Sequence, residues 1–234
     1  MKFIPASELK KKYEVFGHFY SVIFPCGNII DCRSVLEIID KSIVPSDINT
    51  LHGLKPDCIF IMMNPGSSRP LDKDVEGSLK RINSSVVKNM RITYVSAKPD
   101  TTQYQVMRVM KAKGWGHVRV LNLSDLRNPK SGEFITRFNE VENYKNGHIH
   151  SIFSSLRCEE LEQKMNRKKG APVVCAWGVS DNLNTLIGRC LERIDGKCRR
   201  MGVCKDDGSD KYYHPLPTLQ RNKEEWVRKV LTLL

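Results

Sequence analysis

The sequence predicts an α/β domain, a three-layer α/β/α arrangement around a central, mainly parallel sheet of four strands. Three observations carry that expectation. Residues 58–63, 118–123 and 171–177 are short apolar runs with little polar alternation, the pattern of strands covered on both faces. Turn residues close each run: Asn64-Pro65-Gly66, Asn128-Pro129 and Gly178. Segments with helical spacing separate them, and strands alternating with helices favour a parallel sheet between helical layers.

Taken in order, residues 1–55 read as an N-terminal elaboration. The stretch 13–24 is rich in aromatic and β-branched residues and ends in the turn Pro25-Cys26-Gly27-Asn28, while 34–39 reads as a short helix with Val35, Leu36, Ile38 and Ile39 apolar. The first buried strand, 58–63, follows the loop 45–56. A long polar segment, 67–102, then carries Arg69, Lys73, Lys80, Arg81, Lys88, Arg91 and Lys98, and reads as a basic insertion. Its basic residues suit phosphates, and a solvated insertion fits them equally. Residues 103–113 read as a helix stopped by Gly114, and 118–123 as the second strand, with Asn122 near its end. Residues 130–170 are more polar, with a helix expected over 151–168. The third strand, 171–177, leads into a helix that places Leu183, Leu186, Ile187, Cys190, Leu191 and Ile194 on one face. A fourth strand is expected within 197–204, then the segment Tyr212-Tyr213-His214-Pro215-Leu216-Pro217, then a last helix over 222–234. The whole, 1–234, reads as a single domain.

Composition narrows the partners. The chain of 234 residues carries 38 basic and 26 acidic side chains, a formal charge of +12 dispersed along its length. That favours a polyanion, nucleic acid being the commonest, with solubility as the plainer use. No run approaches the ~18 apolar residues of a membrane helix. The amino terminus lacks the apolar core of a signal peptide, so a cytoplasmic location with reduced cysteines is expected. Two C-x5-C pairs, Cys26/Cys32 and Cys198/Cys204, and His148-x-His150 do not follow structural zinc spacing, and no metal is expected.

Asn64, Asn122, Gly178 and His214 all fall just past strand ends, and the right-handed crossover rule gathers them on one edge of a parallel sheet. Four short pieces there resemble the uracil-DNA glycosylase superfamily: M-M-N-P-G at 62–66, V-L-N-L at 120–123, C-A-W-G at 175–178 and H-P-L-P-T-L at 214–219. The chain also resembles an uncharacterised bacterial family that shares the N-P, V-V-N-L, A-W-G and H-P-L pattern. The resemblance covers about residues 56–234 in outline. It departs where Leu216 replaces the serine of H-P-S-P, where no counterpart exists for about 75–98, and where no aspartate stands at position 64, which argues against the fast uracil-specific branch.

The resemblance implies a uracil-DNA-glycosylase-like fold and a monomeric, monofunctional DNA glycosylase without a cofactor. Such an enzyme acts on a base flipped from double-stranded DNA and leaves an abasic site. A modified base is favoured over plain uracil, and a bacterial anti-phage setting would suit it. Asn64 and His214 would be catalytic, the first orienting water and the second donating to the leaving base. Asn122, Gly66 and Tyr104 would contact the base, with Trp115 or Tyr213 as other stacking candidates. Arg69, Leu216, Thr218 and Arg221 would contact DNA, the 216–219 loop wedging into the duplex. Asp72, Asp74 or Asp100 offers a carboxylate base, and nothing in the sequence singles one out. Each residue has a plainer role open to it. Asn64 suits a turn that bonds its own backbone, His214 suits a turn before proline, Asn122 a helix cap, and Trp177 sheet packing. The same fold also suits a non-catalytic nucleic-acid-binding module or a nucleoside or nucleotide hydrolase.

Overall fold

The computed structural model describes residues 3–217 and 219–234. Its backbone is one mixed sheet of nine strands with helices on both faces. The long hairpin β1 (Tyr13–Ile23) and β2 (Ile29–Asp40) forms the longest ladder, antiparallel, turned at Gly27 with φ +86°. β3 (Cys58–Met62), β7 (His117–Asn122), β8 (Val173–Ala176) and β9 (Arg200–Met201) form a parallel group in the order β7-β3-β8-β9. β2 joins the two parts by pairing antiparallel with β7. On the far side of the hairpin lie β6 (Val95–Lys98) and β4 (Arg69–Pro70), and β5 (Arg81–Asn83) pairs parallel with β1.

This corrects the expectation of a four-stranded, mainly parallel central sheet. Residues 13–40 are not an elaboration; they supply the two longest strands. The expected helix at 34–39 is part of β2. Val35 and Ile39 face one apolar core and Leu36 and Ile38 the other, so both faces of the strand are covered and the alternation that marks a half-exposed strand is missing. The segment 67–102 is likewise built into the sheet through β4, β5 and β6, and also holds α2 (Lys73–Gly77). Its seven basic side chains all remain exposed.

The strands put alternate residues into two cores. One face packs against α1 (Ala6–Lys12), α3 (Thr101–Lys113) and α7 (Gln220–Leu233) through Leu9, Val106, Met107, Met110, Trp226 and Val230. The other packs against α4 (Ser131–Glu142), α5 (Cys158–Met165) and α6 (Asn184–Ile194) through Phe134, Phe138, Leu161, Leu186 and Cys190. The expected helix over 151–168 is shorter, and α4 arises in a stretch that reads only as polar. Among the described residues no helix is long and apolar enough to cross a membrane.

Buried charges tie the two halves together. Glu37 on β2 accepts from Arg119 (2.7 Å) and Tyr94 (2.8 Å) and lies 2.8 Å from His117. Asp125, just past β7, is bound by Arg157 at 2.7 Å and by the Tyr20 hydroxyl at 2.9 Å.

Candidate active site

A cavity of about 540 Å³ opens at the carboxyl ends of β3, β7 and β8. Asn64, Gly66, His214 and Leu216 line it, so residues 150 positions apart in the chain meet there. Its apolar walls include Met62, Val120, Ile135, Trp177 and Leu183. This combination, apolar walls with a few converging polar groups, is the common form of a small-molecule or cofactor site.

Each wall has a local cause. β3 stops at Asn64-Pro65-Gly66, and Gly66 adopts φ +61°, a conformation that favours glycine. That turn faces the start of α3, where Asp100 is the helix cap. The Oδ1 of Asp100 accepts from the Gln103 N–H at 2.9 Å, and Gln103 Oε1 accepts from the Asp100 N–H at 3.4 Å, a reciprocal capping box. On the other side, β8 ends at Trp177-Gly178. The Gly178 N–H donates to the Tyr212 carbonyl at 2.8 Å, which brings the following His214-Pro215-Leu216 segment over the cavity. Gln105 on α3 donates to the Pro215 carbonyl at 3.0 Å and the Trp226 indole of α7 to the Tyr213 carbonyl at 2.9 Å, so two helices hold the loop.

The polar groups have defined states. His214 Nδ1 accepts from the Leu216 N–H at 3.2 Å, which leaves Nε2 to carry the proton of the neutral ring. Desolvation lowers its pKa to about 4, so the imidazole is neutral at physiological pH. Burial raises the pKa of Asp100, opposed by backbone N–H donors and the Arg33 charge. Asn64 Nδ2 is committed to the Asn128 carbonyl at 2.8 Å and to that of Leu126 at 3.3 Å, which leaves its Oδ1 as the acceptor.

The other expected residues lie elsewhere. Asn122 is fully buried beneath the site; with its amide oriented to satisfy both neighbours, it donates to the Asn64 carbonyl at 3.2 Å and accepts from Arg33 Nη2 at 2.8 Å. It supports the floor and is not among the residues lining the cavity. Tyr104 is buried on α3 in the core, under the Lys10 ammonium. Arg69 on β4 and Arg221 on α7 are exposed and away from the lining, and Thr218 lies outside the described residues. Tyr213 borders a smaller adjoining hollow, and Trp115 packs against a core. Of the three aspartates, Asp100 lines the cavity, whereas Asp72, which caps α2, and Asp74 in its first turn are exposed. His150, which reads as part of a solvated turn, is buried against Ser124 and Glu142. Among the described residues no group of three or more His, Cys, Asp or Glu side chains gathers around a metal position.

Sequence reasoning missed Arg33 and Gln103. Both line the cavity and both are buried, at 2% and 3% exposure. The available signal for Arg33 was a charged residue beside an apolar run, hidden while 34–39 reads as a helix.

Residues 49–216 match the family described as Protein of unknown function (DUF1643), and the chain belongs to that family. No curated protein and no solved structure gives a match. The matched span holds Asn64, Asp100, His214 and Leu216; Arg33 lies before it, on the hairpin.

Proposed function

We propose that this protein is a DNA N-glycosylase that hydrolyses the bond between a sugar and a modified base held in the β3/β7/β8 cavity. The observation that carries the reading is the meeting of Asn64, Asp100 and His214 around one partly apolar hollow. In this reading the base enters between the apolar walls after flipping from the duplex. The His214 Nε2–H donates to an oxygen of the base as negative charge develops there. A water held by Asn64 Oδ1 attacks the C1′ carbon, the C1′–N bond breaks with its electron pair on the base, and Asp100 takes the proton released by the water. Burial raises the pKa of Asp100, which makes its carboxylate a stronger proton acceptor than an exposed one. Leu216 at the cavity and the exposed Leu219 three positions further along would fill the space left in the duplex, and the +12 charge would draw in the polyanion.

Incubation with duplexes carrying uracil, hypoxanthine, hydroxymethylcytosine or glucosylated hydroxymethylcytosine, followed by alkali, tests this. Strand breaks at one of these bases, lost in Asp100→Asn, support it; intact strands throughout remove base excision for that set. A second reading, hydrolysis of free nucleotides, is favoured by the buried guanidinium of Arg33 in the same cavity. Release of base from small substrates without DNA binding would select it.

A further inference from the structure

Among the described residues that line the cavity, two side-chain atoms are buried without a hydrogen-bond partner, the Nε of Arg33 and the Nε2 of Gln103. The orientation of the Gln103 amide is not arbitrary, because its Oε1 closes the capping box with Asp100 and so turns Nε2 away from the helix end. The guanidinium of Arg33 is held by Asn122 at Nη2, and Asn122 in turn grips the backbone of Asn64. Burial lowers the pKa of Arg33 only to about 10, so the group is charged at neutral pH. The Arg33 charge faces Asp100 and Asp125, but its Nε–H and the Gln103 amide N–H lack partners, and buried N–H groups without partners weaken a fold. Both line the cavity, beside the first turn of the 13-residue helix α3, whose Gln103 and Thr102 N–H groups are already taken by the Asp100 carboxylate.

We infer that Arg33 and Gln103 form an anion subsite inside the cavity. Its ligand is a delocalised anion with oxygen or nitrogen acceptors along one edge, and two sources supply that chemistry. One is the base itself. This assignment rests on the proposed reaction: when the C1′–N bond breaks, the electron pair stays on the base nitrogen, and the base is an anion until it gains a proton. A guanidinium at the inner edge would stabilise that charge while His214 acts at another oxygen. The other source is a phosphate carried by a free nucleotide. Arg33 comes from the β1–β2 hairpin, outside the segment that matches the family, so this subsite is assembled by the sheet and not by the strand-end motifs.

The test does not need turnover. Trp177 lines the same cavity, so its fluorescence reports occupancy. At one neutral pH the protein is titrated with 5-nitrouracil, which is ionised there, with thymine, which is neutral and of similar shape, and with inorganic phosphate. The expected result is binding of the ionised base at least about tenfold tighter than thymine, the advantage falling by about tenfold or more in Arg33→Met. Gln103→Glu keeps the capping acceptor and places a carboxylate at the subsite; it should lose the preference even if Arg33→Met folds poorly. Equal affinity for the two bases with no phosphate binding overturns the inference, as does a preference that survives both substitutions. Phosphate binding that depends on Arg33, without base binding, keeps the subsite and counts against base excision. Base excision that is unaffected by Arg33→Met and Gln103→Glu keeps the reaction and overturns the subsite.

Discussion

Asn64 is fastened at one end and available at the other, and that decides what its replacement does. Its Nδ2 donates to two carbonyls of the 126–128 loop. A carboxylate in its place would set negative oxygens against those carbonyls, so Asn64→Asp should lower stability by ~1–3 kcal/mol, measured by urea unfolding. His214→Ala should leave DNA affinity within a few-fold and reduce base release by about 10²–10³-fold in single-turnover assays, the usual cost of one preorganised donor. The pH profile separates the two titrating groups. His214, held neutral down to about pH 4, contributes no limb near its ordinary value of 6.5. Asp100 must be ionised to take a proton, and its pKa lies above the usual 3.8, so the rate should fall as pH drops through that raised value. Asp100→Asn retains a good helix cap, so its effect on rate reports chemistry and not folding.

At the scale of elements, the junction between the hairpin and the parallel group contains one charged cross-strand pair among its four. Glu37 on β2 stands opposite Arg119 on β7 in register, and both are fully buried. Glu37→Gln leaves Arg119 and His117 without their carboxylate and should cost about 3–5 kcal/mol in denaturant unfolding, because an unpaired charge stays buried. The charged neighbours outweigh desolvation and hold the Glu37 pKa at about 2, below its ordinary 4.5. Its contribution is therefore present above pH 4.5 and lost as pH falls towards 2. Asp125 acts with the opposite sign. Burial raises its pKa from 3.8 to about 6, so what it adds is present below pH 3.8 and fades as pH rises through 6. Glu37→Gln should flatten the acid side of the stability curve below pH 4.5, and Asp125→Asn should remove the loss between pH 3.8 and about 6.

For the whole molecule, charge and architecture answer different questions. If the exposed basic side chains meet DNA phosphates at about three positions, a fourfold rise in salt should weaken binding roughly 40-fold, from a slope of about −0.9 per contact. Arg69→Ala or Arg221→Ala should reduce that slope by about one where the side chain is a contact, read from binding isotherms at several salt concentrations. Both are exposed, and neither should change base selectivity, since neither lines the cavity.

How much could be read beforehand follows from which forces are local. The runs at 58–63, 118–123 and 171–177 announce buried strands because an unbroken apolar segment closed by proline or glycine has few other uses. The stop at Gly114 and the apolar face at 183–194 are legible for the same reason: helix ends and helix faces are written in neighbouring residues. The hairpin was hidden because β2 is covered on both sides, which removes its alternation and lets 34–39 pass for a helix. Local sequence by itself determined the strand-end turns after β3 and β8, and with them Asn64, Gly66 and Gly178 where a cavity could form, whereas His214 and Leu216 reach it through the bridge between Tyr212 and Gly178. Only the tertiary structure decided that Asp100 and not Asp72 or Asp74 faces it, that Asn122 lies under its floor, and that Arg33 reaches it from another strand. Those facts depend on which segments pack together, and burial and pairing between distant residues leave no spacing in the chain to read.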